Sequence, residues 1–468
     1  MSATNMLVIV LDALREDSVT PPLEESDRCF KAQTCITSAP WTLPSCTSLI
    51  TGMDVTRHHH FWHSGGQVTS ELVGALPTDY RKVGLVNNTV LLSASKLDTG
   101  FDRWKYFDDH ARPFRRAASY IRRARPRKPL FLLVHSNISH DYYLAGASKY
   151  YDEAFPDTAG AACTLRNRVI RWTGTTPEER AAVARTYQAS AMKAVSCARE
   201  ILELARARDD FVSVVVSDHG EGLDYDDGRV HHGGRVHDDL LRVPLYFDLP
   251  STVPEHQRRD LAAALSSTLV GTTDVFPTLF ALAGVGTLPA VDGRRIDTAS
   301  GERMVVSEDR RYLYMKDRFR LNIMGRGKNM SQEDGERNQR LRAQLAEAPI
   351  VRSYRSQAAK LMMTCLHLRP ATGSTSDTRR ALLELGRNLM GSPALVRRGD
   401  RLFGFELYDL ESDPLERHNL LTTGDAGVDA LLASEWARPL TVPIGDATDD
   451  AEVDLATMLE DAERVTAF

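Results

Sequence analysis

The chain has 468 residues, too many for one small core, and this length predicts one large α/β domain with a lesser one. A hydrophobic fraction of 42% and a mean hydropathy of -0.31 describe an ordinary soluble globule, and a net charge of -5 excludes the global basic field of a nucleic-acid binder. No apolar run approaches membrane-spanning length, and Met6 to Leu11 is too short for a signal segment and has no basic residues before it. A cytoplasmic protein without a membrane span is therefore expected.

Met6 to Leu11 is a continuous aliphatic run that predicts a strand buried on both faces, with Asp12 just past its carboxyl end, the edge where open α/β sheets place ligands. Ser38 to Gly52 follows. Pro44 predicts the first turn of a short helix closing at Gly52, which sets the Thr42 hydroxyl beside a helix N-terminus. Backbone N–H groups and the helix dipole favour an anion there, so Thr42 is a candidate nucleophile; a capping role for Thr42 or Ser45 is the plain alternative. Cys46 lies one turn further on. The six cysteines, Cys29, Cys35, Cys46, Cys163, Cys197 and Cys365, lack paired metal-site spacing and read as free thiols.

The histidines between Arg57 and His63 are assigned to solvated or packing roles. Arg81 to Asn88 predicts a second strand with polar residues at its end, and a basic helix from Pro113 to Arg125 presents a solvated face. Leu130 to Val134 predicts another buried strand delivering His135 and His140 into the loop beyond. Thr176-Pro177-Glu178-Glu179 is a capping box opening a long helix to about Arg208. Phe211 to Val216 then runs into Ser217-Asp218-His219-Gly220. This alternation specifies a doubly wound, mostly parallel central sheet flanked by helices.

Leu241 to Phe247 returns to the sheet, and Asp274 to Gly284 reads as a helix with a glycine stop. Composition shifts near residue 300. The expected organisation is a catalytic domain over 1–300 and a smaller C-terminal α+β domain over 301–445. Within the latter, β-rich runs at 311–323 and 402–410 flank a charged, helical insert at 331–390. An acidic tail, 446–468, is read as a peripheral helix or a frayed end.

Strand ends thus supply Asp12, Asp218 and His219, and the helix start supplies Thr42. Two carboxylates, an imidazole and a hydroxyl are a ligand set for one divalent cation, Mn²⁺, Zn²⁺ or Ca²⁺. Such a cation can lower the pKa of the hydroxyl and neutralise a phosphoryl or sulfuryl oxygen.

The order of segments resembles the alkaline phosphatase superfamily, in its sulfatase-like and phosphonate or phosphodiester hydrolase branches. The residues carrying the resemblance are Asp12-Ala13-Leu14-Arg15, Thr42-Leu43-Pro44-Ser45 with Thr51-Gly52, Ser217-Asp218-His219-Gly220-Glu221, Arg242-Val243-Pro244, Asp274 to Thr278, and Glu406 to Asn419. The resemblance implies an alkaline phosphatase-like fold, Asp12, Asp218 and His219 on a metal, and Thr42 at the nucleophile position. It further implies that His140 contacts the substrate or protonates the leaving group, that Asn88 contacts an oxyanion, and that His232 lies near the substrate or a second metal. Sulfatases of this family carry cysteine or serine where this chain has Thr42, arginine where it has Cys46, and many have aspartate where it has Ala13. Threonine cannot become formylglycine.

The resulting expectation is a metal-dependent phosphoric ester hydrolase or phosphotransferase working through a covalent Thr42 intermediate on a small-molecule ester. Sulfuryl chemistry without formylglycine is one alternative, and a catalytically degenerate binding protein is another. A homo-oligomer is compatible with the sequence.

Overall fold

Asn5–Leu11 forms β1, buried along its whole length. Its side chains alternate between two cores, as a strand covered on both faces requires. Met6, Val8 and Val10 join Leu43, Ile50, Phe276 and Phe280 on one face; Leu7, Ile9 and Leu11 join Ala117, Ile121, Ala194 and Ile201 on the other. The structure is a computed structural model that describes residues 4–19, 23, 27–61, 68, 71–92, 95–125, 128–142, 176–224, 229–298, 303–309, 350–367, 394–398, 401–421, 441–443, 452–454 and 463–464.

The central sheet adds β2 (Cys29–Lys31), β3 (Arg81–Val86), β4 (Arg103–Tyr106), β5 (Leu130–Ser136), β6 (Phe211–Val216) and β7 (Leu245–Asp248). The order is β2-β7-β6-β1-β5-β3-β4. The five strands from β6 to β4 are parallel, while β7 pairs antiparallel with β6 and β2 antiparallel with β7. The helices are α1 (Thr42–Thr51), α2 (Arg112–Arg122), α3 (Pro177–Arg208), α4 (Glu255–Ser267) and α5 (Val275–Leu282). Side chains of α1, α4 and α5 belong to the core on one face of the sheet, and those of α2 and α3 to the core on the other. This is the doubly wound, mostly parallel α/β fold expected.

Several local expectations appear as read. Thr176 caps α3 through a reciprocal capping box with Glu179. Gly52, at φ 67°, ends α1 in the left-handed conformation, its N–H bonded to the Ser48 carbonyl. The buried His58 and His60 pack against α1, bonding the Ser48 and Thr47 hydroxyls. Two details differ. Pro44 is the third residue of α1, where its missing N–H still has no intrahelical acceptor, and Trp41 is the N-cap. His135 lies within β5, because the strand continues to Ser136.

Two compact units divide the chain: Met1–His63, Gln67–His232 and Asp239–Glu302 form the first, and Ser64–Gly66, Gly233–Asp238 and Arg303–Phe468 the second. The second holds an antiparallel sheet of β8 (Val305–Asp309), β9 (Ile350–Arg355), β10 (Ala359–His367), β11 (Ala394–Arg398), β12 (Arg401–Asp409) and β13 (Glu463–Arg464), ordered β8-β9-β10-β12-β11-β13. The helical insert is corrected here, since β9 and β10 lie inside 331–390. Their charges mark buried ion pairs rather than an exposed helix face: Arg352 with Glu308, and Lys360 with Asp238 and Glu416. The remainder of the insert, the run at 311–323 and Cys163 lie outside the described residues. In the acidic tail, Glu452–Asp454 pairs with Thr441–Pro443 and β13 joins the sheet, so the described part is strand and not helix.

Candidate active site

Parallel pairing brings the catalytic candidates to one edge of the sheet. Val10 is in register with His135 of β5 and Val216 of β6, so Asp12 and Asp218 emerge side by side. Ser217 locks the two ends together, its hydroxyl donating to the Leu11 carbonyl at 2.6 Å and accepting from the Leu14 N–H at 2.9 Å. Asp218 Oδ1 accepts from the backbone N–H groups of Ala13 and His219, at 3.2 and 2.9 Å. The side-chain position is therefore fixed before any ligand is considered.

Thr42 is the first residue of α1 and presents its hydroxyl to this pair of ends. Its Oγ1 lies 3.3 Å from Asp12 Oδ2 and 3.4 Å from His219 Nε2. No side chain caps α1 at Trp41, and Ser45 donates its hydroxyl to the Trp41 carbonyl at 2.7 Å. Neither hydroxyl therefore serves as the cap. Asn88 reaches the same spot, donating to Asp12 Oδ2 at 2.7 Å and lying 3.4 Å from Thr42 Oγ1, while its Oδ1 accepts from Val90 N–H. In this arrangement the amide orients Asp12 and the Thr42 hydroxyl.

His219 Nδ1 lies 2.8 Å from the Gly220 carbonyl, to which it can only donate. Nε2 is thereby the nitrogen turned to Thr42 and to Asp12 Oδ1, the latter at 3.3 Å. Burial opposes a charge on His219, but the carboxylates of Asp218 and Asp12 outweigh it and raise its pKa. Burial likewise opposes ionisation of Asp12, yet His140, His219 and His135 together hold its carboxyl far below the usual range.

Two further groups border the centre. His140 bonds Asp141 through Nδ1 at 2.7 Å, and the other Asp141 oxygen takes His110 Nε2 at 2.6 Å. Against the cost of burial, Asp12 and Asp141 push the His140 pKa up to about 10, and the two histidines hold Asp141 down at about 2. Glu221 faces the Nδ1 atoms of His232 at 2.9 Å and His231 at 3.3 Å. Burial and the nearby His231 hold the His232 pKa well below the ordinary value. His232 stacks at a tilt between His219, with centroids 4.6 Å apart, and His140, at 4.9 Å.

All seven side chains singled out from the sequence, Asp12, Thr42, Asn88, His140, Asp218, His219 and His232, thus gather in the first unit. Four participants were given no role in that reading: His110, His135, Asp141 and Glu221. Glu221 sits beside the Asp218-His219 pair and Asp141 beside His140, so adjacency in sequence was the signal for both; His110 and His135 had none beyond lying near strand ends.

The donor set fits a divalent cation. Ligand atoms of Asp12, Asp218 and His219 lie within 4.8 Å of one another, and Asp12 Oδ1 is buried without a hydrogen-bond partner. Two carboxylates and an imidazole around an unsatisfied oxygen are what a cation needs.

The α/β fold that carries this candidate metal centre is that of the sulfatase-like proteins, a class generally acting on sulfate or phosphate esters. The chain belongs to the Sulfatase family, whose model matches residues 16–285, more than half of it. Among solved structures it is similar to BT1596, a 2-O GAG sulfatase, at 16% identity and a TM-score of 0.58 over 92% of this chain and 90% of that one. It is also similar to a structure from Bacteroides thetaiotaomicron VPI-5482, at 16% identity and a TM-score of 0.56 over 89% and 88%. A third is BT4656 in complex with its substrate D-glucosamine-2-N,6-O-disulfate, at 11% identity and 0.53 over 89% and 93%. At these identities the likeness is one of fold. No curated protein matches the sequence.

Proposed function

We propose that this protein is a metal-dependent hydrolase or transferase of phosphoric esters acting through a covalent Thr42 intermediate. One observation carries the reading: the Thr42 hydroxyl is not spent on capping α1 but lies 3.3 Å from Asp12 Oδ2 and 3.4 Å from His219 Nε2. Asp12, Asp218 and His219 would hold the cation, which when bound supplies charge neutralisation at the ester oxygens and a lowered pKa for the neighbouring hydroxyl.

The remaining work falls to side chains. Asp12 Oδ2 accepts the Thr42 hydrogen bond and Asn88 donates to the same oxygen, so the nucleophile is oriented before the ester arrives. Free N–H groups at the start of α1 face the tetrahedral anion. Thr42, its proton given up to solvent, attacks the phosphorus through Oγ1 as the bond to the leaving oxygen breaks, and that oxygen takes a proton from His140. The Nδ1 of His140 is committed to Asp141, so the transferable proton is the one on Nε2. Water or an acceptor alcohol then attacks the phosphothreonine, its proton passing to the His140 left deprotonated by the first step, and the departing Thr42 oxygen is reprotonated from solvent.

The test is an assay of the T42A variant, with its metal content measured, on aryl phosphodiesters, phosphomonoesters and aryl sulfates. The expected result is turnover of a phosphate ester that T42A abolishes with metal retained. Turnover surviving in T42A removes the intermediate, and turnover of aryl sulfates alone assigns the site to sulfuryl transfer.

A further inference from the structure

Outside the ligand set already described, Cys46 and His135 stand against the same carboxylates. Cys46 is four residues after Thr42 on α1, so the helical repeat turns both side chains to one side. Its Sγ lies 3.7 Å from Asp218 Oδ2. His135, 1% exposed in β5, places Nε2 3.7 Å from the same Asp218 oxygen and 3.5 Å from Asp12 Oδ2. Neither ring nitrogen of His135 makes a hydrogen bond. A buried imidazole costs free energy when its nitrogens are left unsatisfied, and natural proteins keep few such groups without a purpose.

The spacings have a simple explanation. Ligands of a tetrahedral zinc at about 2.0–2.3 Å stand about 3.3–3.8 Å from one another, the range in which the Cys46 thiol also donates to Asp218. Asp218 Oδ2 keeps this spacing from both Cys46 and His135, and Cys46, His135 and Asp218 each offer a ligand atom within 4.8 Å of the others. Asp218 belongs equally to the group with Asp12 and His219.

We propose that Cys46, His135 and Asp218 form a second divalent-metal position, adjacent to the first and sharing Asp218 with it. The inference rests on the metal centre of the proposed function. Its thiolate, imidazole and carboxylate set favours zinc, whereas the oxygen-rich first position tolerates harder ions. Three protein ligands leave a fourth direction open. Occupation replaces the thiol proton: the S–H bond breaks, a sulfur–metal bond forms and one proton is released to solvent.

The experiment titrates the full-length protein, stripped of metal, with Co²⁺ and follows stoichiometry by elemental analysis and thiolate ligation by the sulfur-to-cobalt charge-transfer absorption in the near ultraviolet. The expected result is two equivalents bound with the charge-transfer band. C46S should lose the band and one equivalent, and H135A should lose one equivalent. One equivalent bound without the band overturns the second position and leaves the proposed function standing. A band that persists in C46S assigns it to another thiol and likewise overturns the proposal. Failure to bind any Co²⁺ overturns the metal centre as a whole. The wild-type spectrum decides the matter even where a variant fails to fold.

Discussion

Gly220 stands against the backbone of Asp239: a Cβ at Gly220 would lie 2.1 Å from the Asp239 carbonyl oxygen. The same glycine bonds its N–H to the Leu240 carbonyl at 2.7 Å and accepts the His219 Nδ1 proton on its own carbonyl. Its neighbour on that side is main chain, which cannot rotate away. G220A is therefore expected to destabilise the protein by about 2–3 kcal/mol and to weaken metal binding together with it. Thermal denaturation and a metal-binding isotherm check this; an unchanged variant would show that the turn after His219 does not set the imidazole.

Chelation provides a separate test of the cation. A ligand that binds only the folded state stabilises it by about 2.7 kcal/mol at one hundred times its dissociation constant. Adding Mn²⁺ or Zn²⁺ to chelator-treated protein should raise the melting temperature, and D12A should remove the rise. The two melting curves are the measurement.

The pairing of His140 with Asp141 predicts a pH dependence. His140 is raised from 6.5 to about 10 in the folded protein, so its contribution to stability is full below pH about 6.5 and is lost as pH rises through about 10. His219, raised by Asp218 and Asp12, acts with the same sign. D141N removes one of the carboxylates that raise His140, so the loss should begin at lower pH. In the active enzyme the alkaline limb of the rate profile should shift downward too. Melting temperatures in chelator across pH 6–11, with rates on the loaded protein, give both readouts.

In the second unit, Lys360 is wholly buried, with Nζ 2.7 Å from Asp238 Oδ1 and 2.7 Å from Glu416 Oε1. Arg355 adds a third link to Asp238 at 3.0 Å. K360M keeps the volume and removes the charge, leaving Asp238 and Glu416 buried without the ammonium that joins them. A loss of about 3–5 kcal/mol is expected. Denaturant titration measures it, and K360R, which preserves charge but not the point geometry, should fall between.

The sheet and its ligand edge could be read from the chain because they depend on local pattern. A six-residue aliphatic run ending in Asp12, another ending before Asp218, and a capping box at Thr176 each encode one element and its end. In parallel strands covered on both faces, the residue after the last aliphatic one must leave at the ligand edge, so Asp12 and Asp218 were bound to be neighbours of some site. The β10 segment misled for the opposite reason. Lys360 is a surface residue by composition, and its burial requires Asp238, 122 positions away, to supply the opposing charge.

What the sequence by itself determined was the buried central strands β1, β3, β5, β6 and β7, the helix that starts at Thr42 and the identity of the groups delivered to the sheet edge, because these follow from side-chain periodicity and end signals. What only the tertiary structure decided was which of those groups touch. That His135 faces Asp218 follows from the register of β5 and β6 on either side of β1, and that Cys46 joins them follows from the rotation of α1 over the sheet. Register and helix rotation are set by how whole faces pack, so no residue carries them alone.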